Sequence, residues 1–459
     1  MTAARHGAAA SSLRPFLTLW VGQVVSLTGS GLTTFALGIW VFRTTRSVTL
    51  FALISLFSTL PGLLLSPFAG TLIDRWDRRR ILILSDAVAA LAPLLVAVLN
   101  LTGALEIWHI YVATMLTSVA AGFQVPAYGA ATSLLVGKDQ IGRAAGLNQL
   151  AQAIAHIGGP VLAAWLMSQV TIEDIFLVDV ASFVFSIATL LAVTIPSPPA
   201  VVRAGGWAGF WRDTVYGWRY LVDRPGLLGL LLFFAIINFQ IGIVLALYTP
   251  MVLGFASVRQ LGLLQSTLGI GMLVGGIAIT VLGSRHHRVL MMLGFELVMG
   301  LGMLLSGLRP SLALVTVAAC LCAFAAPMVI GSSQAIWQTK VAPEVQGRVF
   351  ALRRMIGWSS LPIAYAAAGP LADVIFEPVM LPGGLLAGSL GPILGVGPGR
   401  GIGLLFVVLG AVTAVVTVFG YANPRLRNVE RDLPDVLPSA GAVSKPSVPE
   451  PAVSARRAE

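Results

Sequence analysis

Twelve times along this chain an apolar stretch of about 20 residues or more recurs, the length a helix rising about 1.5 Å per residue needs to cross about 30 Å of hydrocarbon. The stretches run over residues 16–41, 50–73, 81–101, 107–136, 144–170 and 175–195, then 227–253, 261–282, 289–308, 312–337, 349–375 and 401–421. Composition agrees, with 57% apolar and 10% charged residues against roughly 45–50% and 25% in soluble domains. The chain carries 49 Gly and 26 Pro, and many lie inside the apolar runs, which membrane helices allow because neighbours satisfy the freed backbone groups. The pattern predicts an all-α polytopic membrane protein with twelve transmembrane helices in two pseudo-symmetric six-helix bundles.

The placement of Lys and Arg predicts orientation. Of 29 such residues, only Arg43, Arg46, Arg259, Arg309 and Arg400 fall in the loops and span ends on one side. Arg75, Arg78, Arg79 and Arg80, then Lys138 and Arg143, Arg285 and Arg288, and Lys340 and Arg348 fall on the other. The positive-inside rule makes that side cytoplasmic, together with both termini. It also accounts for the net charge of +10 without a nucleic-acid partner.

The expected organisation is a cytoplasmic tail over 1–15, a first bundle over 16–195, a cytoplasmic linker over 196–226, a second bundle over 227–421 and a disordered tail over 422–459. In the linker, Trp207, Phe210, Trp211, Val215, Trp218, Leu221 and Val222 recur at helical spacing opposite Arg212, Asp213, Arg219, Asp223 and Arg224. That is an amphipathic helix suited to the membrane interface, tying the two halves together. The uncharged Gly- and Pro-rich loop over 382–399 is expected to be an ordered flap. Span 4 with Pro126, the following Gly142-Arg143 and the next Gly159-Pro160 match Pro327, Gly347-Arg348 and Gly369-Pro370, a weak internal repeat of the kind duplicated transporter bundles carry.

Several chemistries are absent. No phosphate-binding Gly-x-x-x-x-Gly-Lys-Ser/Thr loop, His-Glu-x-x-His or Gly-x-Ser-x-Gly occurs, so ATP-driven pumping and intramembrane hydrolysis are poor readings. Cys320 and Cys322, the two cysteines, sit inside one apolar run and suggest neither a disulfide nor a metal site. No cofactor or metal is expected, and no enzyme. Secondary transport, sensing or lipid handling remain.

Between spans 2 and 3 lies Gly70-Thr71-Leu72-Ile73-Asp74-Arg75-Trp76-Asp77-Arg78-Arg79-Arg80. It resembles the signature loop of the major facilitator superfamily, Gly-x-Leu-x-Asp-Arg-x-Gly-Arg-Arg, with Asp77 in place of the usual glycine. The Asp-Arg-Trp-Asp-Arg-Arg form is similar to the twelve-span drug exporter branch that includes macrolide and enterobactin exporters, and the resemblance extends over Phe16 to Tyr421. It implies a gating motif of Gly70, Asp74, Arg75, Arg78 and Arg79. There Asp74 faces the positive N-terminal end of span 11, and Arg78 and Arg79 anchor to acids or lipid phosphates as the gate closes. Span 5 carries Gly158-Gly159-Pro160, similar to the Gly-Pro-x-x-Gly-Gly antiporter motif of exporters, with Ala163-Ala164 in place of the final glycine pair. Gly269, Gly271, Gly275 and Gly276 of span 8 offer a surface for it to pack on. The span 4 arginine that the family links to proton coupling is absent.

Ionisable groups inside the membrane default to functional readings. His156 falls near the middle of span 5 and Glu296 within span 9, which makes them candidates for proton coupling. His156 is preferred because imidazole titrates near neutrality; Glu296 and Asp179 are expected to be structurally paired, and Asp86 to serve the basic loop before span 3. Gln23, Gln124, Asn148, Gln152, Asn238 and Gln265 are candidates to line a central cavity, beside Trp20, Phe35, Phe123 and Phe239. The expected function is export of an amphipathic small molecule, such as a drug, toxic metabolite or siderophore, across the inner (plasma) membrane by alternating access, as a monomer in contact with lipid and driven by protons. The alternatives are a facilitator or importer of a lipid-like solute such as a lysophospholipid, and a non-transporting sensor.

Overall fold

A computed structural model describes residues 13–73, 76–137, 140–196, 206–282 and 287–436, and the regular elements among them are helical. The first six helices are α1 (Arg14–Thr45), α2 (Val48–Ile73), α3 (Arg78–Leu101), α4 (Ile107–Leu135), α5 (Ile141–Leu166) and α6 (Ile172–Ala192). Then come the linker helix α7 (Gly206–Val222) and α8 (Pro225–Leu253), α9 (Val258–Leu282), α10 (Arg288–Leu308), α11 (Leu312–Lys340) and α12 (Pro343–Pro370). A π-helical segment, Leu371–Phe376, extends α12 into the short α13 (Glu377–Met380). After α14 (Gly391–Leu394), the last long helix is α15 (Arg400–Ala422), followed by two turns, α16 (Pro424–Arg427) and α17 (Val429–Asp432).

The helix starts are written locally. Asp77 accepts the N–H of Arg80 at 2.9 Å as the N-cap of α3, a task the superfamily's glycine could not perform. Ser47 caps α2 by accepting the N–H of Leu50 at 3.2 Å. Thr171 and Asp174 form a capping box at α6, and Glu377 accepts the N–H groups of Gly399 and Ile402 at 3.2 Å each at the start of α15.

Among the described residues, 11 helices are long and apolar enough to span a bilayer. The twelfth long helix of the pattern, α5, has 26 residues and falls short in apolarity because Asn148, Gln149, Gln152 and His156 interrupt it. It packs like its peers, against α1 and α9.

Helices α1–α6 pack on one another, as do α8–α12 with α15. The principal contacts between the two groups are α5 with α9 and α12 with α2. If each long helix of the second group is matched to its counterpart in the first, these two contacts exchange, which is the pseudo-twofold relation. The long helices are even in number, so both ends of the bundle lie on one side, here called the termini side; the other is the distal side.

The core is divided unequally between these sides. On the distal side a single apolar cluster runs through both groups, from Ile39, Val48 and Ala52 through Phe176 to Leu247, Leu261, Ala368 and Phe406. On the termini side the clusters are separate. Leu19, Ile81, Ala131 and Leu190 belong to the first group, with Phe16, Val136 and Ala144 nearby, while Leu227, Met292, Trp337 and Val349 belong to the second. Among the described residues, the apolar core is therefore continuous between the bundles at the distal side and divided at the termini side.

Two expectations change and one holds. The tail is not disordered from 422: over 423–436 it forms α16 and α17 and docks on the second bundle. Lys340 Nζ donates to the carbonyls of Glu430 and Leu433, each at 2.5 Å, and pairs with Asp435 at 2.8 Å. A lysine only 6% exposed needs these acceptors; residues 437–459 lie outside the described residues. The packing partners of α7 are α12 and α8, so it docks on the second bundle rather than bridging both. The flap is ordered, as expected, with positive φ at Gly383, Gly395, Gly397 and Gly399 and Leu394 in a cluster with Met380 and Leu404.

Candidate functional site

The seam between the bundles is built from small residues and one carboxylate. Gly369 lies so close to α2 that a Cβ there would sit 2.4 Å from the Cα of Thr49. One turn later the Asp373 carboxylate accepts the N–H of Thr49 at 2.8 Å, its hydroxyl at 2.7 Å, the Ser47 hydroxyl at 3.2 Å and the N–H of Val48 at 3.3 Å. A carboxylate at a helix N-terminus answers both the unpaired N–H groups and the positive end of the dipole. On the pseudo-symmetric contact, a Cβ at Gly262 of α9 would meet the Ala164 Cβ at 2.6 Å and the Pro160 carbonyl oxygen at 2.8 Å. Ser266 Oγ donates to the Ile157 carbonyl at 2.6 Å. Both Gly-Pro pairs of the internal repeat thus lie at the distal seam.

The antiporter-like motif divides its labour. Gly159 faces α1, where an added Cβ would lie 3.4 Å from Gly31 Cα, whereas nothing lies within 4 Å of one at Gly158. The surface expected on span 8 is only partly correct. Gly269 packs on Ile157, but Gly271 and Gly275 face Ala323 and Phe324 of α11, and Gly276 meets open space.

His156 is exposed. It shares an arc of α5 with Gln149 and Gln152, also exposed, between the faces that meet α1 and α9. The opposite arc presents exposed Leu150, Ile154 and Trp165, a surface suited to lipid. His156 therefore lies between the α1 and α9 contacts of α5, next to the cross-bundle bond at Ile157.

The other candidates scatter. Asn238 lines a cavity in the second bundle, and Gln265 donates to Thr249 Oγ1 at 3.3 Å. Asn148 accepts from the Tyr128 hydroxyl at 3.4 Å, and Gln23 is half-buried in α1. Gln124 is not a cavity residue: it donates to Asp86, whose other oxygen accepts from Ser186 at 2.7 Å. Asp86 thereby joins α3, α4 and α6 instead of serving the basic loop. Asp179 bonds Ser182 at 3.2 Å, as the structural expectation has it. Glu296 does not pair: it is 1% exposed, and neither carboxylate oxygen has a partner among the described residues.

In the gating motif, Asp74 and Arg75 lie outside the described residues, and Gly70 is in the last turn of α2. Among the described residues, Arg79 is held by backbone carbonyls rather than by an acid. It donates to the carbonyls of Leu190 at 2.9 Å and Leu191 at 2.5 Å, closing the C-terminus of α6. Arg78 is half-buried.

Sequence reasoning missed Asp373, although a signal was present. Gly369-Pro370-Leu371-Ala372-Asp373 repeats the Gly-x-Leu-x-Asp pattern of Gly70-Thr71-Leu72-Ile73-Asp74, at the ends of two helices that run antiparallel and touch.

The family model described as Major Facilitator Superfamily matches residues 19–367. Macrolide efflux protein A of Streptococcus pyogenes is 29% identical over 365 residues, covering 78% of this chain and 90% of that protein. Multidrug efflux pump Tap of Mycolicibacterium fortuitum is 24% identical over 378 residues, covering 78% and 89%. In fold, the chain is similar to a bacterial homolog of the human lysosomal transporter Spinster in an inward-facing, unoccupied conformation, with a TM-score of 0.68 at 13% identity over 93% of this chain and 99% of that one. A D-xylose–proton symporter gives a TM-score of 0.66 at 12% identity over 93% and 99%. Matched by its family model from the first helix to the last turn of α12, this chain belongs to the major facilitator superfamily.

Proposed function

We propose that this transporter exports amphipathic small molecules, macrolide-like drugs among them, from the cytoplasm by alternating access, and that protons drive it. The observation that carries the reading is the unequal core: one apolar cluster across the distal side and separate clusters on the termini side. A cavity between two rigid bundles that is closed on one side and open on the other is one end state of a rocking cycle. With the basic loops and termini in the cytoplasm, this state faces inward, ready to load an exported substrate. The relatives named macrolide and multidrug efflux proteins support the direction.

The two Gly-x-Leu-x-Asp segments supply the alternation. Gly369 lets α12 approach α2, and Asp373 then caps α2 at the distal side. The repeated pattern assigns Gly70 and Asp74 the same task toward the start of α12 in the opposite state, so that each aspartate holds one gate shut and the two closures exclude one another. The bundles over 16–195 and 227–421 are the rocking bodies, working as a monomer in the inner membrane.

The test is transport by the purified protein in proteoliposomes under an imposed proton gradient, with erythromycin and a chemically mixed panel of amphiphiles. Proton-gradient-dependent movement out of the compartment that faces the termini side is expected. Movement only in the opposite direction supports the importer reading instead.

A further inference from the structure

On the termini side of the second bundle, α8, α11 and α12 enclose a cavity of about 230 Å³. Its wall includes Asn238, Gln334, Trp337, Arg353, Arg354 and Trp358. We infer that this cavity is a binding subsite for the anionic end of an amphiphile, a carboxylate or phosphate whose apolar part continues into the gap between the bundles. The inference rests on reading that gap as the transport path.

Four observations converge. First, the wall carries two guanidinium groups and no acidic residue, and among the described residues no acid pairs with either. Second, Arg353 is held in place by neutral partners only. It donates to Gln334 Oε1 and to Ser333 Oγ at 2.9 Å each, and its guanidinium carbon lies 5.0 Å from the centre of the Trp337 ring. These contacts fix the direction of the group and leave its charge uncompensated among the described residues, and an arginine taken partly out of water calls for a counter-charge. Third, the Trp337 side chain is 0% exposed and its indole N–H has no partner. A buried donor without an acceptor is costly, so the packing behind this wall is short of acceptors. Fourth, Arg354 is exposed on the same wall, so a second donor fork stands available. Guanidinium forks match carboxylate and phosphate geometry, and the exposed Trp358 suits an attached apolar group.

The cavity is smaller than the ~300–1,000 Å³ of sites that enclose a drug-sized ligand, so it takes one end of a substrate and not the whole. Sequence reasoning passed over Arg353 and Arg354 because cytoplasmic basic residues are so plentiful that two more at the start of span 11 look like topology.

The test uses the full chain in phosphatidylcholine nanodiscs with two probes of matched tail and opposite charge, dodecyl phosphate and dodecyltrimethylammonium, read by tryptophan fluorescence. Dodecyl phosphate is expected to bind at least tenfold more tightly, and Arg354→Gln to weaken it about tenfold, the scale of one charge-assisted hydrogen bond. Arg353→Lys keeps the charge but not the fork and is expected to weaken binding by a smaller factor. Equal affinity for the two probes, or binding unchanged in both variants, overturns the subsite. Two competition arms identify the natural occupant: displacement by phosphatidylglycerol in the disc assigns a lipid headgroup, and displacement by inorganic phosphate a free oxyanion. If neither displaces the probe, the occupant is a transported amphiphile. Binding of dodecyl phosphate without transport of any amphiphile would refute export and leave the subsite standing; drug efflux without selective anion binding would do the reverse.

Discussion

Asp373 and Thr49 are joined by two hydrogen bonds, backbone N–H to carboxylate at 2.8 Å and hydroxyl to carboxylate at 2.7 Å, across the seam between the bundles. The Gly369 backbone beneath them touches α2 so closely that no side chain fits. The geometry explains the spacing: a glycine admits the neighbouring helix, and an aspartate one turn later reaches its unpaired N–H groups. The same five-residue pattern recurs from Gly70 to Asp74 in the sequence at the other end of α2.

Asp373→Ala is therefore expected to loosen the distal closure. Hydrogen bonds to a charged group contribute about 1.5–3 kcal/mol each, and a loss of even ~1.4 kcal/mol shifts a two-state equilibrium tenfold. Ala52, 1% exposed in the shared distal core, reports it. With Cys320 and Cys322 replaced by serine, an Ala52→Cys protein should react with an impermeant thiol reagent from the distal side about tenfold faster in the Asp373→Ala background. Asp74→Asn is expected to impair transport at near-normal expression and to oppose that shift when combined with Asp373→Ala. Equal labelling rates in all backgrounds reject the paired latches.

The fold was legible because the bilayer imposes a length and an apolarity on each helix that few other structures require. Legibility failed wherever a long-range partner decided the outcome. The segment from Asn423 to Val436 looks like a Pro-rich tail until Lys340, about 90 residues earlier, takes the carbonyls of Glu430 and Leu433. Gln124 has the polarity of a cavity residue, yet Asp86 on α3 claims it. Asp373 was hidden for a different reason: matching Gly369-Pro370 to Gly159-Pro160 is correct for the bundle repeat and draws the eye from the second correspondence, with Gly70 through Asp74. Glu296 was expected to pair because peripheral spans usually carry structural acids, but no partner faces it among the described residues.

The glycines of α5 and α9 make a graded prediction. A methyl at Gly262 would meet the Ala164 Cβ at 2.6 Å and the backbone oxygen of Pro160 at 2.8 Å, and one at Gly158 would meet nothing within 4 Å. Because backbone cannot step aside as a flexible side chain can, Gly262→Ala is expected to cost about 1–3 kcal/mol by overpacking and to reduce transport. Gly158→Ala should stay within about 0.5 kcal/mol. Thermal unfolding midpoints of the detergent-solubilised proteins, with transport measured beside them, check this. The seam packing is wrong if the two substitutions behave alike.

Proton coupling is the remaining link, and the placement of the two candidate groups ranks them. An accumulating transporter without a nucleotide site must draw on an ion gradient. A coupling group must then reach water on one side in one state and on the other side in the next. His156 meets the first requirement, since it is exposed beside the seam. Its neighbour Ile157 is bonded to Ser266 across the seam, so parting the seam to open the distal side would move His156 between the two waters. Glu296 meets neither in this state, for it is sealed at 1% exposure on α10, which packs on α11 and α15 within its own bundle. Efflux in the presence of a protonophore should therefore stop in the wild type. His156→Gln and His156→Ala should retain passive exchange of substrate but no longer concentrate it. Protonophore-resistant efflux by the wild type excludes proton drive. Normal accumulation by both His156 variants, with the wild type still protonophore-sensitive, moves the coupling site to Glu296, where Glu296→Gln should then abolish accumulation.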